Sequence, residues 1–303
     1  MFTFNKDIDY DKYDLKDKTV IITGSNAGLG KEICRKIAKC NAGRIIMASR
    51  NEAKAKEAIK EISEQTGNDC IEFMKLDLLS LESVSNFAIS FKSKNIPCHL
   101  LINNAGIMWL WENKTYNPPL TMIGTQQFNT QFLANYLGHF LLTHLLFDLL
   151  MESSARILNI SSCVHFLSGF DLKNLTNSHS YTFSQYCQSK LAQILSTYSW
   201  VKKIQDSPSP TKATMVAIDP GIFASEIVSL PWPLTHLYHL VFKTPEYCSR
   251  PIVKVAIDSE FENVTGKYID SAKICNSSKT TYDQELADQL WEQSMELIKD
   301  YII

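Results

Sequence analysis

The chain has 303 residues, of which 45% are hydrophobic and 20% are charged, and its formal net charge is −2. This balance is typical of an ordinary soluble globular protein, so it excludes an intrinsically disordered chain. A nearly neutral chain also lacks the clustered basic charge of nucleic-acid-binding proteins, and we expect no nucleic-acid partner.

Eight cysteines are spread along the sequence without a CxxC pair and without the ligand spacing of a zinc site. We therefore expect reduced thiols, no metal site and a cytoplasmic protein. The first seventeen residues alternate acidic, basic and aromatic side chains, so they lack the apolar core of a signal peptide or membrane anchor. We interpret residues 1–17 as a polar extension and residues 18–300 as one domain.

Short β-branched runs alternate with helical stretches along the chain. Each run is nearly continuous in apolar residues, which is expected when helices cover both faces of a parallel sheet. The pattern predicts an α/β protein with a single-domain, Rossmann-type doubly wound parallel sheet and helices on both faces. The predicted strands cover residues 18–24, 43–49, 70–78, 99–106, 155–162 and 213–219, and the predicted helices include residues 51–65, 80–94 and about 126–151.

Three glycines mark the turn from the first strand into the first helix, in "VIITGSNAGLGKEI". Glycines at such a turn let the backbone approach a pyrophosphate, whose charge then lies at the exposed N–H groups of the helix. The GxxxGxG spacing differs by one position from the GxGxxG fingerprint, and glycines also cap and turn for structural reasons. The candidate phosphate-binding residues are Gly24, Ser25, Asn26, Gly28, Leu29 and Gly30.

The residue after the second strand selects between the two nicotinamide dinucleotides. An acid there would bond the ribose hydroxyls of NAD(H), whereas a guanidinium pairs with the 2′-phosphate of NADP(H). "MASRN" offers Arg50 and no acid before Glu52, which favours NADP(H) over NAD(H); the alternative is a surface arginine that starts the next helix. Asp77 ends the third strand, where it would either meet the adenine or cap the following helix.

An apolar stretch without Asp, Glu, Lys or Arg runs from Thr115 to Phe147 and is long enough for a transmembrane helix. Asn135, His139 and His144 interrupt it with polar side chains, and a buried helix lying on a sheet explains the same pattern. We expect the buried helix.

Two Tyr–Lys pairs with a spacing of four residues occur close together, in "YCQSK" from Tyr186 and in "YSWVK" from Tyr198. On a helix this spacing puts both side chains on one face, with Cβ atoms about 5–6 Å apart. Because Tyr198 lies about 120° around the helix from Tyr186, the two tyrosines cannot face one site. The spacing alone does not show which pair is catalytic and which is structural; the position of each pair in the fold must decide.

The ordered motifs "TGSNAGLG", "NNAG", "NYLGHFLLTHLL", "NISS", "YCQSKLA" and "DPG" resemble the short-chain dehydrogenase/reductase family, and within it the retinol dehydrogenase-like group. The resemblance runs from about Lys18 to near the C-terminus, and the order of the motifs is far more specific than any one of them. Members of this group often begin with a membrane anchor, which the first seventeen residues do not resemble.

The resemblance implies a catalytic tetrad of Asn135, Ser162, Tyr186 and Lys190. Tyr186 would act as general acid/base, because the Lys190 ammonium and the oxidised nicotinamide both favour its phenolate form. Ser162 would bond the substrate oxygen. Asn135 would hold a proton-relaying water, or it is simply a polar core residue bonded to backbone.

The resemblance also implies cofactor contacts at the turns after the fourth and sixth predicted strands. Ser225 stands where relatives often have threonine, and Asp219 stands where many have histidine, a change whose effect the sequence leaves open. The implied contacts are Asn104, Ala105, Gly106, Pro220, Gly221 and Ser225, together with Tyr186 and Lys190.

Two apolar, aromatic segments, residues 106–120 and 227–242, would wall the substrate cleft in this family. They suggest a lipophilic alcohol or carbonyl such as a retinoid, steroid or fatty aldehyde; the alternative for Trp109 and Trp111 is packing on the core. Around Trp232 the second segment has the side chains of a peripheral membrane contact, but it contains two prolines and no basic residue. A broad carbonyl reductase, a non-catalytic NADP-binding scaffold and a homo-oligomer stay open.

Overall fold

The computed structural model describes residues 8–108, 121–123, 126–172, 183–209, 212–221 and 243–302. The strands are β1 Thr19–Thr23, β2 Arg44–Ser49, β3 Ile71–Lys75, β4 Leu100–Asn103, β5 Thr121–Ile123, β6 Gln126–Phe128, β7 Arg156–Ile160, β8 Thr214–Asp219, β9 Lys267–Asp270 and β10 Lys273–Cys275. The helices are α1 Gly28–Lys39, α2 Glu52–Thr66, α3 Leu81–Lys92, α4 Thr130–Glu152, α5 Phe183–Asp206, α6 Pro245–Ile257 and α7 Gln284–Ile298. Short 3-10 helices cover Tyr10–Lys12, Cys163–Leu167, Ser259–Phe261, Lys279–Tyr282 and Lys299–Tyr301.

Within the described ranges, eight strands form one sheet in the order β10-β9-β8-β7-β4-β1-β2-β3. The β10–β9 pair is antiparallel and every other neighbouring pair in this sheet is parallel. The strand order reverses between β1 and β4, which opens a crevice at the carboxyl ends of these strands. The predicted doubly wound parallel sheet is confirmed, and β9 and β10 extend it beyond the six predicted strands.

Helices cover both faces of the sheet. Successive residues of β1 alternate between the two cores: Ile21 packs with α3, α4, α5 and α7, whereas Val20 and Ile22 pack with α1, α2 and α6. This alternation is the period of two expected of a strand buried on both faces. It explains why the strands read as continuous apolar runs in the sequence.

The long apolar helix begins four residues later than predicted. Residues 126–128 form β6, which pairs with β5, and the Asn129 side chain then caps the helix by accepting from the Gln131 and Phe132 N–H groups. In the part of the chain that the structure covers, α4 is the one helix long and apolar enough to cross a membrane, and 78% of its apolar window is buried in the protein. The helix is therefore largely buried, as the sequence predicts. A π-helical turn, Leu133–Leu137, interrupts it.

The described part of the N-terminal extension lies against the domain. The Tyr13 hydroxyl donates to Asp258 Oδ2 at 2.9 Å, and the Leu15 N–H donates to the Cys40 carbonyl at 2.9 Å. The division of the chain at residues 17 and 18 stays a prediction.

Candidate active site

A cavity of about 380 Å³ opens at the carboxyl ends of the parallel strands, where their order reverses. It is lined by residues of the turns after β1, β2, β3, β4, β7 and β8, and by residues near the start of α5. The predicted site residues that line it are Gly24, Asn26, Gly28, Leu29, Gly30, Arg50, Asp77, Asn104, Ala105, Gly106, Ser162, Tyr186, Lys190, Pro220 and Gly221.

The glycine turn at the start of α1 packs so closely on neighbouring backbone that larger residues would not fit at two of its glycines. Gly24 has a φ of 63°, and a Cβ on it would lie 2.8 Å from Ala105; a Cβ on Gly30 would overlap the Gly24 carbonyl oxygen. Among the described residues, no side chain caps this helix, because Ala27 occupies its N-cap position. The first-turn N–H groups therefore remain available, and the bare cradle fits a dinucleotide pyrophosphate.

The turn after β4 is tied to the end of β1 through Thr23. The Asn104 and Ala105 N–H groups donate to Thr23 Oγ1 at 2.9 and 3.0 Å, and Asn104 Nδ2 donates to the Thr23 carbonyl at 2.9 Å. These bonds hold two walls of the cavity at a fixed separation.

His139 links this clamp to the π-helical turn of α4. Its Nδ1 lies 3.1 Å from the Asn135 carbonyl, which can only accept, so Nδ1 carries the proton and Nε2 accepts from the Thr23 hydroxyl at 2.9 Å. Burial lowers the pKa of His139 to about 4, and the Lys190 charge acts in the same direction. The imidazole is therefore a neutral structural link at physiological pH.

Of the predicted site residues that the structure describes, two do not line the cavity. Ser25 is fully buried, and its hydroxyl donates to the Ile22 carbonyl at 2.8 Å. Asn135 is also fully buried; its Oδ1 accepts from the Ile107 N–H at 2.7 Å and its Nδ2 donates to the Ile107 carbonyl at 2.9 Å and to Ser189 Oγ at 3.0 Å. The Asn135 side chain thus takes the backbone-bonded alternative, and it fixes the strand-end segment that follows Gly106.

Tyr186 and Lys190 lie on the cavity side of α5. Lys190 Nζ lies 5.6 Å from the centroid of the Tyr186 ring and donates to the Ile160 carbonyl at 2.8 Å. The lysine is only 3% exposed, and this burial lowers its pKa to about 7, while the negative charge of Asp219 opposes the shift. The predicted pair is therefore a half-buried phenol next to a buried amine.

Ser162 is held at the mouth of the cavity by a second buried histidine. The Ser162 hydroxyl accepts from the Val164 N–H at 3.4 Å at the start of the 3-10 helix. His165 Nδ1 donates to the Ser162 carbonyl at 2.7 Å, and its Nε2 accepts from the Ser278 N–H at 3.1 Å. Burial lowers the pKa of His165, which favours this neutral tautomer.

Arg50 and Asp77 line the other end of the cavity. Arg50 is exposed and follows directly after β2. Asp77 Oδ1 accepts from the Leu79 N–H at 3.0 Å, and the N-cap of α3 is Ser80, which accepts from the Ser83 N–H. The capping alternative for Asp77 is therefore wrong.

The second Tyr–Lys pair lies outside the cavity. The Tyr198 hydroxyl is 2.7 Å from Ser277 Oγ, and its ring stacks on Tyr282 with a centroid distance of 5.5 Å. Lys202 is exposed. This pair is packing and a solvated charge, as the helix geometry predicts.

Several predictions fall outside the described residues. These are the cofactor contact of Ser225, the cleft-lining roles of Trp109 and Trp111, and the membrane contact proposed for residues 227–242 around Trp232.

Residues 18–230 match the family model described as short chain dehydrogenase. The chain belongs to the short-chain dehydrogenase/reductase family. Human polyprenol dehydrogenase is 36% identical over 292 residues, which cover 93% of this chain and 85% of that protein. Mouse retinol dehydrogenase 13 is 34% identical over 303 residues, which cover 95% of this chain and 85% of that protein. This short-chain dehydrogenase is thus an oxidoreductase of the retinol dehydrogenase-like group, and its family binds a nicotinamide cofactor.

Solved structures share the fold. An uncharacterised protein from Mycobacterium paratuberculosis is 26% identical and superposes with a TM-score of 0.73 over 95% of both chains. A short-chain dehydrogenase from Escherichia coli CFT073, solved in complex with NADPH, is 19% identical and superposes with a TM-score of 0.65 over 87% of this chain and 99% of that chain.

Sequence reasoning missed several residues that hold the walls of the cavity in place. Thr23, His139 and His165 touch the backbone of site residues, and Tyr268 bonds Asp219 from β9. A polar residue within an otherwise apolar strand or helix is the signal that could have found Thr23 and His139. No comparable signal marks Tyr268, whose partner is 49 residues away in the chain.

Proposed function

We propose that this short-chain dehydrogenase uses NADP(H) to interconvert a lipophilic alcohol and its aldehyde or ketone, with Tyr186 as general acid/base. The observation that carries the proposal is the convergence of Ser162, Tyr186 and Lys190 on a cavity whose opposite wall is the glycine turn. A hydroxyl, a phenol and a buried amine at one end of a dinucleotide cradle are suited to proton transfer coupled to hydride transfer.

Each side chain has a separate task in this chemistry. In the direction of reduction, the Ser162 hydroxyl orients the carbonyl oxygen and the Tyr186 hydroxyl protonates it; in oxidation the phenolate accepts the proton from the alcohol. Lys190, when protonated, stabilises the phenolate. The nicotinamide cofactor, when bound, supplies or accepts the hydride. The Asn135 side chain fixes the Ile107 backbone beside the site.

An apolar rim, defined here as Phe166, Leu167 and Phe183, supports a lipophilic substrate. These side chains are 54%, 70% and 37% exposed, although large apolar side chains are normally buried. The two segments that carry these side chains meet, because the hydroxyls of Ser168 and Ser184 are 3.5 Å apart. The Phe183 ring stacks on Tyr186 with a centroid distance of 6.4 Å, so this part of the rim lies beside the predicted general acid/base. Phe166 and Leu167 follow Ser162 by a few residues in the chain. The names of the relatives, polyprenol and retinol dehydrogenase, agree with such a substrate.

The test is turnover of purified protein with NADPH across aldehydes of increasing apolar length, with retinaldehyde, a steroid ketone and benzaldehyde included. We expect kcat/KM to rise with apolar length. Replacing Phe166 and Leu167 together by serine should raise KM for the long aldehydes roughly tenfold and leave benzaldehyde unchanged, because about 2 kcal/mol or less of apolar contact is lost per side chain. Ile89→Ser is the matched control, since Ile89 is 46% exposed on α3. Equal rates for all carbonyls would favour a broad carbonyl reductase, and binding without turnover would favour a scaffold.

NADP(H) as the cofactor rests on the Arg50 guanidinium, which lines the cavity beyond β2. Arg50→Asp should weaken NADPH binding by one to two orders of magnitude and leave NADH binding equal or tighter, because it replaces a partner of the 2′-phosphate by a partner of the ribose hydroxyls. Titration of both cofactors measures the ratio. An unchanged ratio would show that another residue holds the 2′-phosphate. Lys54→Asp, at an exposed position of α2, controls for a general change of surface charge.

A further inference from the structure

Asp219, the last residue of β8, is a buried acid directly behind the cavity wall. It is 1% exposed, and its Cα partner on β9 is a second acid, Asp270. The next two residues, Pro220 and Gly221, line the cavity at the end that contains Tyr186. Burying a carboxyl group destabilises the fold unless hydrogen bonds or opposite charges replace its lost hydration. The contacts of Asp219 show which groups do so.

Both carboxylate oxygens of Asp219 face hydrogen-bond donors. Oδ1 accepts from the Gly221 N–H at 2.8 Å, and Oδ2 accepts from the Tyr268 hydroxyl at 3.3 Å. Gly221 has a φ of 85°, which is a left-handed conformation that favours glycine. The carboxylate therefore fixes the backbone turn that forms the cavity wall. These two donors, together with the Cys163 N–H, favour its ionised form.

The charges around Asp219 come from several elements. Burial raises the pKa of Asp219 and the Gly221 N–H opposes this, while Asp270 on β9 raises it further. Lys190 on α5 is stabilised in its charged form by Asp219. Three thiols interact with the Asp219 charge: Cys163 on the 3-10 helix after Ser162, Cys248 on α6 and Cys275 on β10. Burial raises the pKa of all three, so they stay neutral.

We propose that Asp219 is a buried counter-charge that favours the oxidised cofactor, whose nicotinamide ring is cationic, over the reduced cofactor, whose ring is neutral. The inference rests on the proposed function, because it needs the nicotinamide at the Tyr186 end of the cavity. A fixed negative charge behind the Gly221 turn interacts with a cation in the cavity and hardly at all with a neutral ring. The same charge stabilises the Lys190 ammonium, so the phenolate of Tyr186 keeps its cationic neighbour.

The experiment compares the binding of NADP+ and NADPH to the full chain by calorimetric titration. Asp219→Asn removes the charge and keeps an Oδ1 acceptor for the Gly221 N–H. It should weaken NADP+ binding about fivefold to tenfold and change NADPH binding less than twofold, which is the effect of one nearby charge in a partly screened site. An unchanged NADP+/NADPH affinity ratio, or an equal loss of both forms, would overturn the proposal in favour of a structural role.

Two further variants keep the test decisive. Asp219→His removes the negative charge by a different side chain, and it should shift the affinity ratio in the same direction as Asp219→Asn. Tyr268→Phe removes one of the donors that favour the ionised form of Asp219, so it should shift the ratio in the same direction as Asp219→Asn but by less. A shifted ratio in a protein that reduces no carbonyl would overturn the proposed function alone. Binding of neither cofactor form by the unmutated protein would overturn both proposals.

Discussion

Tyr186→Phe is expected to lower kcat roughly a thousandfold and to leave NADPH affinity within about twofold. The substitution removes one hydroxyl and keeps the ring, which stacks on Phe183 with a centroid distance of 6.4 Å. Without the hydroxyl, the site loses the proton donor next to Lys190, and reduction must take its proton from water. The measurement is steady-state turnover of a lipophilic aldehyde together with a separate NADPH titration, so that chemistry and binding are distinguished.

The chain provides a matched control on the same helix. Tyr198→Phe also removes a phenolic hydroxyl at the start of a Tyr–Lys pair, but it breaks a hydrogen bond to Ser277 far from the cavity. It should cost about 1 kcal/mol of stability and leave kcat unchanged. A loss of turnover from Tyr198→Phe comparable to that from Tyr186→Phe would contradict the assignment of the general acid/base.

The contrast between these tyrosines shows what the sequence could predict. Local signals were enough for the parallel strands, the glycine turn and the position of Tyr186 on the cavity, because each depends on residues close together in the chain or on the order of motifs. The catalytic role of Tyr186 stays a prediction. Helix geometry alone showed that Tyr198 faces another direction. The predicted start of α4 was wrong because β6 has the same uncharged, partly apolar composition as the helix. Only the cap at Asn129 separates the two elements.

Side-chain roles were harder to predict, because they depend on contacts between distant parts of the chain. The Asn135 side chain forms hydrogen bonds with the Ile107 backbone and does not line the cavity. The Ser25 hydroxyl donates to the Ile22 carbonyl instead of facing the cavity. His139 and His165 each donate Nδ1–H to the backbone of a tetrad residue, across contacts that no periodicity reveals. Asp219 is the clearest case: the sequence shows an acid at the end of a strand, but its role depends on the positions of Gly221 and Lys190.

Lys190→Met should abolish measurable turnover and also stabilise the protein. The pKa of this lysine falls from an ordinary value of 10.5 to about 7 because it is buried, so at pH 7 the folded state bears a cost of roughly 4 kcal/mol relative to a neutral side chain. Methionine fills a similar volume without charge, and the lost bond to the Ile160 carbonyl offsets about 1 kcal/mol of the gain. We expect a net increase of roughly 1–3 kcal/mol in the free energy of unfolding, measured by urea denaturation without cofactor.

The pH dependence of this gain separates charge burial from improved packing. Because the folded pKa of Lys190 lies below its unfolded value, the unfolded chain holds the extra proton between about pH 7 and 10.5, and the stability of the unmutated protein rises with pH across that window. The advantage of Lys190→Met should therefore be largest at or below pH 7 and should shrink towards pH 10. Lys202→Met, at the exposed lysine of the second Tyr–Lys pair, should show no such trend. If the advantage stays constant from pH 7 to pH 10, the pKa of Lys190 is not lowered in the folded state. The gain in stability would then come from packing alone.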